Sequence, residues 1–189
     1  QRRMFAYFHF MDPHHEYIEH DDAPDFGEEP RDRYDGEIWF TDRAVGDLIA
    51  WIEKQPWGKR TAVIVSADHG ECFGEHGQIR HGYELWESLI HVPLLFLVPG
   101  AAPRRIHTPR SHIDLAPTIL DLMGVEVSPP LRGQSLVSEL FGSSLPPRPI
   151  VADLSRDNLQ DRRRAIIDGD LKLIARGDDE RWLMYDVVK

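Results

Sequence analysis

A carboxylate and an imidazole stand side by side at the end of an apolar run. Residues 61–66 read Thr-Ala-Val-Ile-Val-Ser, and Asp68, His69 and Gly70 follow almost at once. An apolar run without alternation predicts a strand that is buried on both faces, as in a parallel sheet. Ligands of open α/β sheets bind beyond the carboxyl ends of the strands, so Asp68 and His69 are placed where a metal ion or an anion would bind. The alternative is an ordinary loop in which Asp68 caps a helix and His69 is solvated.

The composition limits the classes of function that the chain can have. The 189 residues are 41% hydrophobic and 29% charged, as in an ordinary globular domain, and carry a formal net charge of -10. This charge argues against a nucleic-acid partner, which needs a basic face, but it allows a small anionic substrate at a locally positive site. No apolar run approaches the ~20 residues that cross a bilayer. Cys72 is the only cysteine, so no internal disulfide can form.

The order of apolar patterns predicts alternating strands and helices, followed by hairpins. Apolar residues at helical spacing predict a helix over 34–53 that ends before Pro56. A second helix over 115–123 is capped by Ser111 or Asp114 and ended by Gly124. Asp168 and Gly169 indicate a hairpin near the end of the chain. The other predicted strands cover 5–10, 94–98, 150–154, 165–167, 171–174 and 182–185, and the other helices cover 83–89 and 133–141.

This order predicts an α/β fold, with a mixed or parallel sheet flanked by helices and a small antiparallel unit at the C-terminus. We expect the α/β body over 1–142, a proline-containing linker over 143–149 and the antiparallel unit over 150–189. Both ends of the chain fall inside predicted strands, so we expect an excerpt from a longer protein whose cellular location is left open. An exposed sheet edge could then join two copies as a homo-oligomer.

Several segments together resemble the sulfatase family, within the alkaline-phosphatase-like superfamily of metal-dependent sulfate and phosphate ester hydrolases. The most specific is Ser66-Ala67-Asp68-His69-Gly70-Glu71 with Gly74-Glu75-His76-Gly77, which is similar to the metal-ligand signature of that family. The other matching segments keep the order of the family and cover 8–14, 34–42, 86–94, 112–122, 171–174 and 184–186. One short match is weak evidence, but chance does not readily produce so many in one order.

The resemblance implies hydrolysis of sulfate esters, on a small molecule or a sulfated glycan, with Asp68 and His69 as ligands of a divalent metal ion. Calcium is favoured, and the nitrogen of His69 leaves manganese or zinc open. His14 matches a histidine that contacts the sulfate, although a solvated loop position is the alternative. His81 falls where many members place a Lys or His on the substrate, and it could protonate the leaving oxygen.

The cysteine and the remaining histidines are expected to be structural. Family members make their nucleophile, a formylglycine, from Cys or Ser in a C/S-x-P-x-R motif, and the segment that begins at Cys72 lacks both Pro and Arg. We therefore expect the nucleophile and two metal-binding aspartates upstream, and we expect the chain alone to be inactive. His76 would be a hydrogen-bond hub of its turn. Solvated or packed side chains are expected for His9, His15, His20, His91, His107 and His112.

Two other functions share this sequence signature. A phosphonate or phosphodiester hydrolase, or a phosphoethanolamine-type transferase, would use the same metal frame with a different nucleophile, such as a lone Thr for transfer. A non-catalytic interaction module would keep the fold without turnover.

Overall fold

The computed structural model describes residues 3–126, 131–158, 160–177, 179 and 181–188. The chain forms two compact units, residues 1–63 and residues 64–189. Within the described ranges, no helix has both the length and the apolar character needed to cross a membrane. The domain boundary expected at 143–149 falls inside the second unit and stays a prediction.

The first unit is built around one long helix, α1 (Pro30–Glu53). It ends where the sequence predicts but begins four residues earlier than residue 34. Proline suits the first turn of a helix, because its fixed φ is already helical and its missing N–H would have no partner there. Glu29 and Asp32 form a capping box, in which each side chain accepts a hydrogen bond from backbone at the start of the helix. These local bonds extend the helix beyond the range predicted from apolar spacing.

The His14 segment, residues 3–29, precedes α1 and contains no strand. The strand predicted over 5–10 is therefore wrong for this structure. Phe5 is 61% exposed and Tyr7 is 73% exposed, so the apolar residues of this segment cover no core. A strand requires a neighbour for its backbone N–H and C=O groups, and no described residue pairs with this segment.

Two short strands carry the apolar runs of the central sequence. Strands β1 (Val63–Ser66) and β2 (Leu94–Leu97) pair with each other as a two-stranded sheet, and α2 (Glu87–Ile90) lies between them in sequence. The prediction of a strand over 61–66 that is buried on both faces is wrong here, because Val63, Ile64 and Val65 are only partly buried and Ser66 is exposed. A two-stranded sheet leaves each strand with one neighbour and a partly open face.

The helix predicted over 115–123 forms as α3 (Leu115–Leu122), preceded by a 3₁₀ turn over His112–Asp114. Both predicted caps take part, since Ser111 and Asp114 form a capping box around that turn. Gly124 follows the helix with φ +60°, a left-handed conformation that suits glycine. A shorter helix, α4 (Val137–Leu140), covers the centre of the range predicted as 133–141.

The second unit ends in an antiparallel sheet of four strands, which confirms the predicted hairpins. The strands pair in chain order and are β3 (Ile150–Leu154), β4 (Arg163–Asp168), β5 (Leu171–Arg176) and β6 (Arg181–Asp186). Asp168 pairs with Leu171, so the β4–β5 turn consists of Gly169 and Asp170, with φ +58° at Gly169.

One face of this sheet carries the core of the second unit. Ala165 and Ile174 pack there against buried residues that follow β1, namely Cys72, Leu85, Trp86 and Leu89. Lys172 is only 2% exposed and donates to Glu87 Oε1 at 2.6 Å. Burial lowers the pKa of this ammonium group, and the hydrogen bond and charge of Glu87 oppose the shift. The sheet therefore supports the chain between β1 and β2, where Asp68, His69 and His81 lie.

Candidate metal and substrate site

Asp68 and His69 lie just beyond the end of β1, as the sequence predicts. The Nδ1 atom of His69 lies 2.8 Å from the Gly70 carbonyl oxygen, which can only accept a hydrogen bond. Nδ1 therefore carries the proton, and Nε2 holds the lone pair of the neutral ring. That Nε2 is 3.8 Å from Oδ2 of Asp68. A carboxylate oxygen and an imidazole nitrogen thus converge on one side of the loop, with the imidazole oriented by a backbone carbonyl.

Gly70 allows the backbone after His69 to lie directly against the backbone of α2. Its N–H donates to the Leu89 carbonyl oxygen at 2.8 Å. A Cβ atom at residue 70 would lie 2.1 Å from the Ser88 carbonyl oxygen, closer than any side chain tolerates. Glycine is therefore required here by the approach of two backbones rather than by a left-handed φ.

The His81 loop, residues 71–86, turns back on itself directly after the glycine. The Arg80 N–H donates to the Cys72 carbonyl oxygen at 2.8 Å, and the Gly74 N–H donates to the Gln78 carbonyl oxygen at 2.8 Å. The tip of the loop uses a left-handed backbone, with φ +121° at Gly74 and φ +53° at His76. This return brings residue 81 back beside residue 71.

His81 meets both Glu71 and His69. Its Nδ1 is 3.1 Å and 3.2 Å from the two carboxylate oxygens of Glu71, whose side chain is 4% exposed. The ring of His81 stacks on that of His69, with centroids 4.1 Å apart and planes at 26°. The sequence proposed His69 and His81 as site residues, but it gave no role to Glu71. The pairing of Glu71 with a residue ten positions later depends on the loop return and has no local signal.

The four-stranded sheet holds the far side of the His81 loop. Glu84 Oε1 accepts a hydrogen bond from Arg163 Nε at 3.3 Å and forms an ion pair with Arg176 Nη2 at 2.8 Å. Gln160 Nε2 donates to the Gly82 carbonyl oxygen at 3.0 Å. We call these five residues the sheet clamp. The loop is therefore restrained both by its own backbone bonds and by strands that lie far away in sequence.

Cys72 and His76 are both packed against neighbouring side chains. Cys72 is fully buried with Sγ 3.0 Å from Ser88 Oγ, and burial raises the pKa of its thiol, against a smaller lowering by Ser88. His76 stacks on Trp86 with ring centroids 4.2 Å apart and meets Tyr185 edge-on at 5.8 Å. Its role is thus in ring packing rather than in the hydrogen-bond hub that the sequence suggested.

His14 belongs to the first unit, where it lines an open cleft of about 370 Å³. Its Nδ1 is 2.8 Å from the carbonyl oxygen of His15. The buried carboxylate of Glu37, on α1, anchors the same segment further along: it accepts from the Ile18 N–H at 2.6 Å and contacts His20 Nε2 at 2.9 Å. His14 thus lies in the first unit, whereas Asp68, His69 and His81 lie in the second and are brought together by described contacts.

The donor set fits part of a divalent metal site. Carboxylate oxygen and imidazole nitrogen are both usual ligands of such ions. Within the described ranges, however, no cluster of three or more His, Cys, Asp or Glu side chains is arranged to hold a metal ion. A complete metal site would need ligands besides Asp68 and His69.

The nucleophile motif of the family, C/S-x-P-x-R, does occur in this chain away from Cys72. Two serine pentads fit C/S-x-P-x-R, at 128–132 and at 144–148, so the pattern is not missing from the chain. Residues 127–130 lie outside the described residues. In the second pentad, Arg148 forms an ion pair with the fully buried carboxylate of Asp114, and Arg110 donates to the Leu145 and Pro146 carbonyl oxygens. The arginine of that pentad thus fastens the chain to the start of α3.

A sequence model of the Sulfatase family matches residues 1–125. The chain belongs to the sulfatase family. Mouse (Mus musculus) arylsulfatase K is 36% identical over 105 residues, which are 55% of this chain and 19% of that protein. The sulfatase chain described here thus spans about a fifth of that relative.

Solved structures confirm the predicted fold class. A phosphonate monoester hydrolase from Silicibacter pomeroyi matches with a TM-score of 0.74 at 24% identity, covering 83% of this chain and 34% of that one. The solved structure of a protein bound to its substrate, D-glucosamine-2-N,6-O-disulfate, matches with a TM-score of 0.66 at 26% identity. This match covers 87% of this chain and 37% of that one. The chain therefore has the fold of part of an alkaline-phosphatase-like sulfatase.

Proposed function

We propose that this chain is part of an enzyme that hydrolyses sulfate esters with the help of a divalent metal ion. One observation carries the proposal: the Asp68 carboxylate and the His69 Nε2 lie 3.8 Å apart at a strand end, with the His81 ring stacked on His69. Membership of the sulfatase family supports it. The activity is a proposal because the chain spans only part of its relatives.

Asp68 and His69 would hold the metal ion. Calcium is the favoured ion because carboxylate ligands suit it, and the nitrogen of His69 leaves manganese and zinc open. When bound, the ion would stabilise negative charge on the sulfate oxygens. The other ligands and the formylglycine nucleophile are proposed to come from residues outside this chain.

Two histidines would act on the substrate. His14 would donate a hydrogen bond to the sulfate, which is a binding role. The doubly protonated ring of His81 would give its Nε2 proton to the leaving ester oxygen and would keep the proton on Nδ1, which faces the Glu71 carboxylate. His81 is therefore expected to act on the chemical step and His14 on binding.

The substrate class is proposed as a sulfated sugar. The structural relative in complex with D-glucosamine-2-N,6-O-disulfate supports this choice, and the name of arylsulfatase K supports sulfate esters more broadly. We also retain the proposal of a homo-oligomer through an exposed sheet edge, which sedimentation of the full-length protein would test.

The decisive experiment compares ester classes on the full-length protein. We expect the metal-loaded protein to release sulfate from D-glucosamine-2-N,6-O-disulfate or from 4-nitrophenyl sulfate, and a chelator to stop the release. Faster turnover of a phosphonate monoester would instead support the phosphonate hydrolase alternative. If every ester class failed while calorimetry still detected metal binding, the interaction module would be the better explanation.

The position of the nucleophile can be read separately by peptide mass mapping. Conversion of Ser or Cys to formylglycine replaces its side chain with an aldehyde, which changes the peptide mass and reacts with hydrazides. We expect the aldehyde on a residue upstream of this chain. An aldehyde at Ser128 or Ser144 would contradict that expectation and move the nucleophile into the chain.

A further inference from the structure

Glu71 is a buried acid whose position the proposed chemistry does not yet use. Its side chain is only 4% exposed, so its carboxylate is largely removed from water. Burying a carboxylate costs several kcal/mol unless hydrogen bonds and charges compensate. Both of its oxygens lie within 3.2 Å of a single ring nitrogen, Nδ1 of His81. This placement suggests that the acid acts on His81.

The contact determines which nitrogen of His81 carries the proton. An ionised carboxylate only accepts hydrogen bonds, so Nδ1 of His81 must donate. In the neutral ring the lone pair is then on Nε2, the atom on the opposite side of the ring from Glu71. Imidazole side chains in water favour the other form, with the proton on Nε2, so the acid selects the less common tautomer.

A second contact fixes the plane of the ring. His81 stacks on His69 with planes at 26°, while the bond to Glu71 lies at the ring edge. The edge contact resists rotation within the plane, and the stacking contact resists tilting out of it. The sheet clamp holds the backbone that follows His81, through Gly82 and Glu84. The ring of His81 is therefore oriented before any substrate arrives.

We propose that Glu71 is a positioning residue, which selects the Nδ1–H tautomer of His81 and directs Nε2 toward the sulfate ester. The part of this proposal that concerns the ester rests on the proposed function. The tautomer itself does not, because it follows from the contact alone. Carboxylate partners that orient histidines in this way typically affect activity about 10- to 100-fold when they are removed.

The first test reads the tautomer directly on the full-length protein with ¹⁵N-labelled histidine. Long-range ¹H–¹⁵N spectra at about pH 8.5, where an unperturbed imidazole is neutral, distinguish protonated from unprotonated ring nitrogens. We expect the Nδ1–H form of His81 in the wild type and in Glu71→Asp, and the Nε2–H form in Glu71→Leu. Glu75→Gln, a change of a carboxylate in the same loop, serves as the matched control and should keep the Nδ1–H form. His81 resonances are assigned by their loss in His81→Asn.

The second test measures turnover of the same variants. We expect Glu71→Leu to lower kcat about 10- to 100-fold with little change in KM, and Glu71→Asp to recover part of the loss. Loss of turnover without a change of tautomer would overturn the positioning role and leave a packing role. An Nε2–H tautomer in the wild type would overturn it as well, whether or not the protein hydrolyses sulfate esters. If Glu71→Leu does not fold, Glu71→Met provides the same comparison, since it keeps the length of the side chain without the carboxylate.

Discussion

The His81 loop and the His14 segment present their histidines in different ways. In the loop, the histidine ring itself is held by the buried Glu71 and by stacking on His69, and the backbone is held by the sheet clamp. In the segment, the buried carboxylate is Glu37, and it binds the chain at Ile18 and His20. One histidine is therefore oriented directly, whereas the other lies on a segment that is anchored several residues further along.

This difference teaches that a buried acid can serve a site at two levels. Glu71 orients a ring, and Glu37 fixes the course of a chain. Each carboxylate is compensated by N–H groups, as buried acids must be, but the donors belong to a side chain in one case and largely to a loop in the other. Substitutions in the His81 loop should therefore change the rate of the chemical step. Substitutions in the His14 segment should change how well the segment is ordered or how tightly the substrate binds.

The largest effect is expected at the metal ligands beside the His81 loop. Loss of an outer partner of a ligand lowers metal affinity about 10- to 100-fold, so Asp68→Ala or His69→Ala should lower it by about 100-fold or more. Calorimetry with calcium, manganese and zinc on the full-length protein measures this change. His91→Ala is the control, because the His91 side chain is 80% exposed. Wild-type affinity in both ligand variants would refute the metal assignment.

The next effect separates the two histidines by kinetics. His81→Ala should lower kcat by about 100- to 10,000-fold, the usual contribution of a general acid. His14→Ala should mainly raise KM, because a contact made equally to substrate and transition state changes binding rather than turnover. Steady-state kinetics with a sulfate ester would check both. If His14→Ala lowered kcat while His81→Ala left it unchanged, the roles proposed for the two histidines would be exchanged.

A smaller effect is expected from loosening the sheet clamp. Glu84 pairs with two arginines and its side chain is 13% exposed, so Glu84→Ala should lower the free energy of unfolding by about 1.5–3 kcal/mol. Urea denaturation gives this value. Glu126→Ala changes an exposed carboxylate and should have almost no effect. Equal stability of the two variants would show that the sheet does not hold the loop.

The smallest effect concerns the anchor of the His14 segment. Glu37→Gln keeps an acceptor for the Ile18 N–H but weakens the contact with His20. We therefore expect the free energy of unfolding to fall by about 0.5–1.5 kcal/mol. The stack of His20 on Phe40, at 4.0 Å between centroids, would remain. Limited proteolysis of the segment should become faster while kcat stays close to that of the wild type. A large fall of kcat with unchanged proteolysis would place Glu37 in the chemistry instead.

Local patterns in the sequence were sufficient for the elements that local physics controls. The helical spacing located α1, the capping residues Ser111 and Asp114 located the start of α3, and Gly169 located the β4–β5 hairpin. The pair Asp68 and His69 could be recognised because adjacent residues at a strand end need no long-range information. Each of these features depends on residues that lie within a few positions of one another.

Only the tertiary structure decided the features that need distant partners. The segment 5–10 has strand-like residues but no neighbouring strand, so its backbone stays irregular. Glu71 reaches His81 because the left-handed residues at the loop tip reverse the chain and because Glu84 is held by arginines of the distant sheet. The sequence by itself determined the family and two candidate metal ligands. The orientation of the acid–histidine pair arose only when loop and sheet were packed together, since hydrogen bonds between distant residues leave no periodic signal in the chain.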